Sequence, residues 1–152
     1  MERITVRPFT KDDWPALERI HDRARRKELE WAGLWDAFVP FAQASVREGL
    51  FDYTVCVAAF EGAVRGFVAF SEDELAWLYV DPDYGRRGIG KRLIEYVQKH
   101  TKRPLSVEVL AGNEPALGLY QSMGFSALKT SSGKMPGNES FEVTAILMEK
   151  RQ

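Results

Sequence analysis

Apolar positions at the start of the chain change from a strand period to a helical one. Alternation over residues 4–8 predicts a short strand that ends at a proline. Apolar residues then recur at helical spacing, which predicts a helix over residues 14–29 behind an acidic first turn. A second helix is expected over residues 34–50. Pro40 lies inside it and predicts a kink or a split into two short helices.

Three strands are predicted in the middle of the chain. Apolar runs over residues 53–60 and 64–71 flank Glu61-Gly62-Ala63, a short reversal typical of an antiparallel hairpin. Residues 75–80 are apolar on both faces apart from one phenol, which is typical of a central strand covered on both sides. Asp81-Pro82-Asp83-Tyr84-Gly85 follows and predicts a turn.

The last third of the chain predicts two more helices and three more strands. Helical spacing over residues 89–99 precedes an alternating strand over residues 105–109. Asn113 is placed to cap a short helix that ends near Gly124. Two final strands are expected over residues 125–130 and 141–149. The Gly, Ser and Pro residues between those strands predict a mobile loop over residues 131–140.

The order of these elements predicts an α+β fold, with a mixed, mostly antiparallel central sheet flanked by helices. The 152 residues match one domain spanning residues 1–152, since domains usually have ~100–200 residues. An open sheet has edge strands, and the final strand over residues 141–149 is a candidate edge for a homodimer.

Composition narrows the possible function classes. The 21 basic and 22 acidic residues exclude a protein that binds nucleic acid or a membrane surface through its overall charge. The single cysteine, Cys56, excludes an internal disulfide and a metal site built from cysteines. His21 and His100 fall on separate predicted helices, so no metal site is expected. With no apolar leader and no long apolar run, the expected location is the cytoplasm.

The near-neutral total conceals a segregated charge. Residues 86–103 hold seven of the basic residues and one of the acidic ones, which leaves 14 basic and 21 acidic residues elsewhere. Within this window, basic residues flank Gly88 and Gly90 at the point where a turn leads into a helix. Amides at a helix N-terminus favour a negatively charged ligand, so the window predicts a phosphate site. The alternative is that the glycines only shape the turn and the basic residues are a solvated helix face.

Two common phosphate motifs fit this segment poorly. Residues 85–91 match the P-loop pattern up to its lysine, but Arg92 stands where a Ser or Thr would bind magnesium. A dinucleotide fingerprint would need a glycine where this chain has Leu93. A P-loop-like phosphate binder therefore stays a weaker alternative.

The segment resembles motif A of the GNAT superfamily of acetyl-CoA-dependent N-acetyltransferases, written (Gln/Arg)-x-x-Gly-x-(Gly/Ala). Gly88 and Gly90 match this motif, whereas Gly85 replaces the usual Gln or Arg. Residues 78–82 look like the family's fourth strand and turn. A second signature is similar to Asn113, Ala116, Leu119, Tyr120, Gly124 and Phe125. The resemblance extends from residue 4 to residue 148.

The resemblance implies acetyl-CoA as cosubstrate, no metal, and a set of cofactor contacts. Backbone groups of Leu78, Tyr79 and Val80 would pair with the pantetheine arm. Asn113 would contact the cofactor as well as cap its helix, and Tyr120 would also lie against it. The pyrophosphate would bind the loop made of Arg86, Arg87, Gly88, Ile89, Gly90 and Lys91.

The resemblance also implies the catalytic residues. Tyr120 would be the general acid that protonates the leaving thiolate, since a phenol of pKa ~10 stays protonated at neutral pH and a thiolate has pKa ~8.5. Glu74 is similar in placement to the family's glutamate base, and Glu72, Asp73 or a water chain are alternatives. Glu74 could equally be a solvated carboxylate at the end of a strand.

The acceptor would be a small-molecule or peptide amine that enters near the first two helices. Aromatic and acidic residues there predict a site for a cationic amine. The alternative is that the aromatic residues are packing core. A protein of another class, a non-catalytic acyl-CoA-binding sensor or interaction module, is also possible, although the presence of Tyr120 argues against it. The aromatic and acidic residues are Trp31, Trp35, Phe38, Phe41, Glu28, Glu30 and Asp36.

Overall fold

A computed structural model describes residues 3–152 as a mixed sheet of seven strands with helices on both faces. The strands are β1 (Thr5–Pro8), β2 (Thr54–Phe60), β3 (Ala63–Phe70), β4 (Glu74–Val80), β5 (Leu105–Leu110), β6 (Ser126–Met135) and β7 (Asn138–Lys150), and the α-helices are α1 (Trp14–Trp31), α2 (Phe41–Arg47), α3 (Ile89–Lys99) and α4 (Glu114–Ser122). Along the sheet the strands run β1-β2-β3-β4-β5-β7-β6, so the predicted α+β fold is confirmed. None of the helices in residues 3–152 combines the length and apolar character needed to cross a membrane.

The central strand β4 is covered on both faces, as its sequence predicts. Trp77 points into the core under α1 and α2, together with Leu17 and Phe41. Leu75 points into the opposite core, which contains Leu93 of α3 and residues of α4. Burial on both faces explains why β4 reads as a continuous apolar run.

The structure confirms a predicted hairpin turn, a predicted helix break and a predicted helix cap. Glu61 and Gly62 both have positive φ (53° and 78°), as a two-residue hairpin between β2 and β3 requires. Pro40 splits the predicted second helix into a 3-10 turn at Trp35–Ala37 and helix α2. The Asn113 side chain caps α4 by accepting a hydrogen bond from the Ala116 amide at 3.2 Å.

The predicted mobile loop over residues 131–140 is wrong. These residues complete a long antiparallel hairpin, in which Ser131 pairs with Ala145 and Gly133 with Val143. The β6 side chains are exposed except that of Met135, so small polar residues suffice because the pairing is made by the backbone. Gly137 has a φ of 79° and lies in the turn that joins the two strands.

The final strand is not an edge of the sheet, so the edge proposed for a homodimer is wrong. β7 pairs with β5 on one side and with β6 on the other. The edges are β1 and β6, and β6 carries Lys129 and Lys134. Lysines on an edge strand disfavour pairing with another chain.

Candidate active site

A wedge-shaped opening divides the sheet between its two parallel strands. β4 and β5 pair only at Glu74–Ser106 and Leu75–Val107. Beyond those pairs β4 continues to Val80 and β5 to Leu110 without pairing with each other. On its other side, β4 remains paired with β3 up to Val80. The opening therefore presents one free edge of β4, to which an extended ligand with amide groups can add like a strand.

The free edge of β4 leads directly into the predicted phosphate loop. A 3-10 turn at Pro82–Tyr84 follows β4, and α3 begins at Ile89 with Gly88 as its N-cap. The loop side chains of Arg86, Arg87 and Lys91 are exposed, whereas the Ile89 side chain is buried in the core. Ile89 can therefore serve a ligand only through its backbone.

The two motif glycines have different physical roles. Gly88 has a φ of 84°, and a Cβ atom built there would meet no atom within 4 Å, so glycine is favoured for its conformation. At Gly90 a Cβ atom would lie 3.0 Å from the Leu119 side chain. Gly90 therefore allows α3 to approach α4 closely, beside the wedge.

Tyr120 belongs to the core cluster that contains Val109 of β5, with Val80 of β4 packed against it, so it lies under the unpaired parts of both strands. Its ring packs edge-on against Phe125, with centroids 5.4 Å apart, and 4% of the residue is exposed. Burial, and in addition the negative charge of Glu28, raise the pKa of the Tyr120 phenol above its usual range. The phenol is therefore protonated and available as a donor across the physiological pH range.

Glu28 of α1 joins three parts of the site. Its Oε1 atom accepts hydrogen bonds from Arg25 Nη1 at 2.5 Å and from the Tyr79 hydroxyl at 3.4 Å. Its Oε2 atom accepts one from the Asn113 side-chain amide at 3.0 Å. The Asn113 side chain thus both caps α4 and contacts α1. Sequence reasoning placed Glu28 only in an acidic wall, because the chain pattern does not show which carboxylate turns inward.

Glu74 lies at the other end of β4. Its side chain is exposed and its Oε1 atom accepts a hydrogen bond from the Tyr53 hydroxyl at 3.3 Å. Glu74 precedes Tyr79 by five residues, which is ~17 Å along a strand. The structure therefore brings the charge of Glu28, rather than that of Glu74, to the Tyr120 end of the wedge. The alternative Glu72 forms an ion pair with Lys102.

The aromatic residues predicted for the acceptor side separate into two groups. Phe41 is fully buried and packs on Trp14, so it belongs to the core. Trp31 and Trp35 are 50% and 71% exposed at the end of α1 and in the turn that follows it. The backbone of Trp31 lies against Gly112, where a Cβ atom would be 2.9 Å from the Trp31 carbonyl. Trp31 is therefore next to the loop that leads to Asn113.

The tip of the β6–β7 hairpin closes the same side of the sheet. Arg47 Nη1 donates to the Gly137 carbonyl at 3.1 Å, and the Asn138 side chain donates to the Ala37 carbonyl at 2.9 Å. Glu48 contacts this tip. Burial of its carboxyl, together with the charges of Glu28 and Glu139, raises the pKa of Glu48 to about 7, although the residue as a whole remains exposed.

The two histidines and the cysteine are held by hydrogen bonds and packing within the fold. Asp22 Oδ1 lies 2.9 Å from His21 Nδ1 and accepts a hydrogen bond from the Phe41 amide at the start of α2, also at 2.9 Å. Burial lowers the pKa of His21. His100 stacks on Tyr96 on the opposite side of the sheet, and Cys56 is buried in the core.

Comparison with known proteins identifies similar sequences and folds. Residues 51–127 match the model of the acetyltransferase (GNAT) domain. The chain is 44% identical over 66 residues to the peptidyl-lysine N-acetyltransferase YiaC of Escherichia coli (43% of this chain, 44% of YiaC). It is 35% identical over 85 residues to the ribosomal protein bS18-alanine N-acetyltransferase of the same species (53% of this chain, 57% of that protein). The alignments span about half the length of these curated relatives.

Solved structures extend the similarity over nearly the whole fold. A GCN5-related N-acetyltransferase from Rhodopseudomonas palustris superposes with a TM-score of 0.77 at 20% identity, covering 97% of this chain and 95% of that one. The yncA protein of Salmonella typhimurium, solved with its cofactor acetyl-CoA, gives a TM-score of 0.67 at 18% identity and covers 97% and 93%. At these identities the likeness concerns the fold.

Proposed function

Because this chain belongs to the GNAT family of acetyltransferases, we propose that it transfers the acetyl group of acetyl-CoA to a primary amine. The observation that carries this proposal is the free edge of β4, which opens at the centre of the sheet and leads without interruption into the phosphate loop. A binding module could share this cleft. The protonated, buried phenol of Tyr120 under it favours catalysis.

The cleft fits the two chemically distinct parts of acetyl-CoA. The pantetheine arm carries amide groups that can pair with backbone atoms of Leu78, Tyr79 and Val80 along the free edge. The pyrophosphate matches the loop of residues 86–91, where helix amides and exposed basic side chains favour an anion. The excess positive charge of residues 86–103 is consistent with this polyanionic cosubstrate.

Tyr120 is the proposed general acid in a ternary complex. The amine would attack the acetyl carbonyl directly, the carbon–sulfur bond would break, and Tyr120 would donate its proton or a hydrogen bond to the departing thiolate. Asn113 would contact the cofactor at the start of α4. The Glu28 carboxylate holds the Asn113 amide at 3.0 Å and thereby fixes its side chain.

Removal of a proton from the acceptor amine is the remaining step. An alkyl amine of pKa ~10.4 requires about 4.6 kcal/mol to become neutral at pH 7, so a base is useful. We assign this role to Glu74 or to a water chain. The distance of Glu74 from the Tyr120 end of β4 favours a chain of waters as the final acceptor of the proton.

The acceptor proposed is a peptide amine, with a small-molecule amine as the alternative. The names of the relatives, which act on peptidyl lysine and on a ribosomal protein, support the peptide. The exposed side chains of Trp31, whose backbone lies against Gly112, and of Trp35 are consistent with a peptide acceptor, since tryptophan is enriched at protein interfaces.

Release of free thiol from acetyl-CoA across a library of peptides and small amines tests the proposal. We expect thiol release that depends on both substrates, with the acetylated amine confirmed by mass spectrometry. A sensor would bind without turnover. Binding is measured by thermal unfolding with acetyl-CoA, which adds about 2.7 kcal/mol at 100 times the Kd. Stabilisation without thiol release for any amine would favour the sensor.

A further inference from the structure

An arginine of α1 holds the turn that precedes the phosphate loop. Arg23 Nη1 lies 3.1 Å from Asp81 Oδ1, and Arg23 Nη2 lies 3.0 Å from Asp83 Oδ1. Asp81 is 3% exposed, whereas Asp83 is on the surface. The two prongs of one guanidinium thus join a buried and an exposed carboxylate, a geometry that lysine cannot reproduce.

Asp81 organises the turn from inside. Its Oδ1 atom accepts a hydrogen bond from the Asp83 amide at 3.0 Å, which caps the 3-10 turn. Its own amide donates to the Arg65 carbonyl at 2.7 Å, and its carbonyl accepts from the Tyr84 amide at 2.8 Å. A buried carboxylate needs a cation, and Arg23 supplies the nearby positive charge.

The loop that follows needs support at both ends. Arg86 has a φ of 63°, a strained conformation for a residue with a side chain, and it persists only where the surroundings fix it. At the far end, the loop is fixed by α3, where the Arg92 amide donates to the Gly88 carbonyl at 2.9 Å. At the near end, the 3-10 turn held by Arg23 precedes Gly85 directly.

We propose that Arg23 is a positioning residue for the pyrophosphate of the cofactor, fixing the start of loop 86–91 through Asp81 and Asp83 so that the loop amides stay directed at the phosphates. This inference rests on the proposed function, because it assumes that the loop binds acetyl-CoA. Arg23 does not touch the reacting atoms. Its loss therefore acts on cofactor affinity rather than on the chemical step.

The test compares Arg23→Gln with Arg19→Gln. Arg19 lies one turn earlier on α1, is exposed, and forms no ion pair within residues 3–152, so the control removes the same charge from the same helix. We expect Arg23→Gln to raise the KM for acetyl-CoA about tenfold with kcat within twofold of wild type. Arg23→Lys should recover only part of the loss. For S-acetylpantetheine, which lacks the pyrophosphate, kcat/KM should be unchanged.

A second measurement is independent of turnover. Hydrogen exchange of the free protein should become faster in Arg23→Gln at the amides of Asp83, Tyr84 and Arg92, which are hydrogen-bonded at the two ends of the loop, while α3 residues 93–97 keep their protection. Asp83→Asn leaves the contact between Arg23 and Asp81 intact and should show the same increase in exchange to a smaller extent. This milder variant keeps the inference testable if Arg23→Gln fails to fold.

Three results separate the possibilities. An acetyl-CoA KM and loop exchange in Arg23→Gln equal to those of Arg19→Gln would overturn the inference. Equal losses for acetyl-CoA and S-acetylpantetheine would also overturn it, because they would show a general structural role. Failure of the wild-type protein to bind acetyl-CoA would instead reject the proposed function, and the exchange measurement would still test whether Arg23 orders the loop.

Discussion

Replacement of Tyr120 by Phe removes one hydroxyl from the centre of the candidate site. The Tyr120 hydroxyl forms no side-chain hydrogen bond within residues 3–152, and no fully enclosed side-chain polar atom there lacks a partner. The hydroxyl therefore retains some solvent-accessible surface. Since the substitution breaks no internal hydrogen bond, we expect the free energy of unfolding to change by less than about 0.5 kcal/mol.

The expected loss of activity follows from two pKa values. The pKa of the phenol is raised above its reference value of ~10, whereas that of the thiolate is ~8.5. Full proton transfer is then uphill by at least about 2 kcal/mol, so in the proposed mechanism Tyr120 would act mainly by donating a hydrogen bond to the developing thiolate. Such a charge-assisted bond contributes about 1.5–3 kcal/mol, which corresponds to a decrease in kcat of roughly 10- to 150-fold.

The assay is thiol release at saturating acetyl-CoA, with Tyr96→Phe as the matched control. Tyr96 is a partly buried tyrosine of α3 that stacks on His100, outside the wedge. Because the raised pKa keeps Tyr120 protonated, the ratio of wild-type to variant kcat should be constant from about pH 6 to pH 9. An unchanged kcat, or a ratio that falls to one at alkaline pH, would refute the role of Tyr120 as a donor.

Three further substitutions test other parts of the site. If Glu74 is the base, Glu74→Gln should abolish the acidic limb of the pH–rate profile, and an unaltered limb removes it from that role. The raised pKa of Glu48 means that the folded state holds its proton more tightly than the unfolded state, so stability falls as the pH rises from about 4.3 to about 7. Glu48→Gln should therefore gain stability over wild type between pH 5 and pH 8 in denaturant titrations, and a constant difference would contradict the pKa. Gly88→Ala should lower the free energy of unfolding by about 1–2 kcal/mol, because alanine disfavours the positive φ of this position. It should also weaken acetyl-CoA binding in calorimetric titration. An unchanged stability and an unchanged Kd would show that the positive φ is not required.

Elements with strong periodic patterns could be predicted from the sequence, and the final hairpin could not. α1 and α3 follow from helical apolar spacing, because one face of each is buried, and the β2–β3 hairpin follows from two apolar runs around a turn, because both of its faces are buried. β6 has no buried face before Met135, so its side chains give no alternating pattern and its Gly and Ser residues suggest a loop. Its pairing with β7 depends on backbone atoms, about which the residue types give little information.

The site shows the same division between local and long-range information. The helix start at Gly88 and the cap at Asn113 are local features, and each is formed by residues a few positions apart. The contact of Glu28 with Asn113 joins residues 85 positions apart, and that of Arg23 with Asp81 joins residues 58 apart. These contacts depend on how α1 crosses the sheet, which no local pattern specifies.

The wedge between β4 and β5 leaves an unpaired edge of β4 in the interior of the sheet, in addition to the outer edges at β1 and β6, and no strand within residues 3–152 completes it. If acetyl-CoA pairs with that edge, the ligand stabilises the native state in proportion to the logarithm of its concentration. Resistance of the purified protein to proteolysis would then rise with the acetyl-CoA concentration. A strand-mimetic peptide bound along β4 would compete with the cosubstrate and offers a route to inhibitors that does not rely on the phosphate loop.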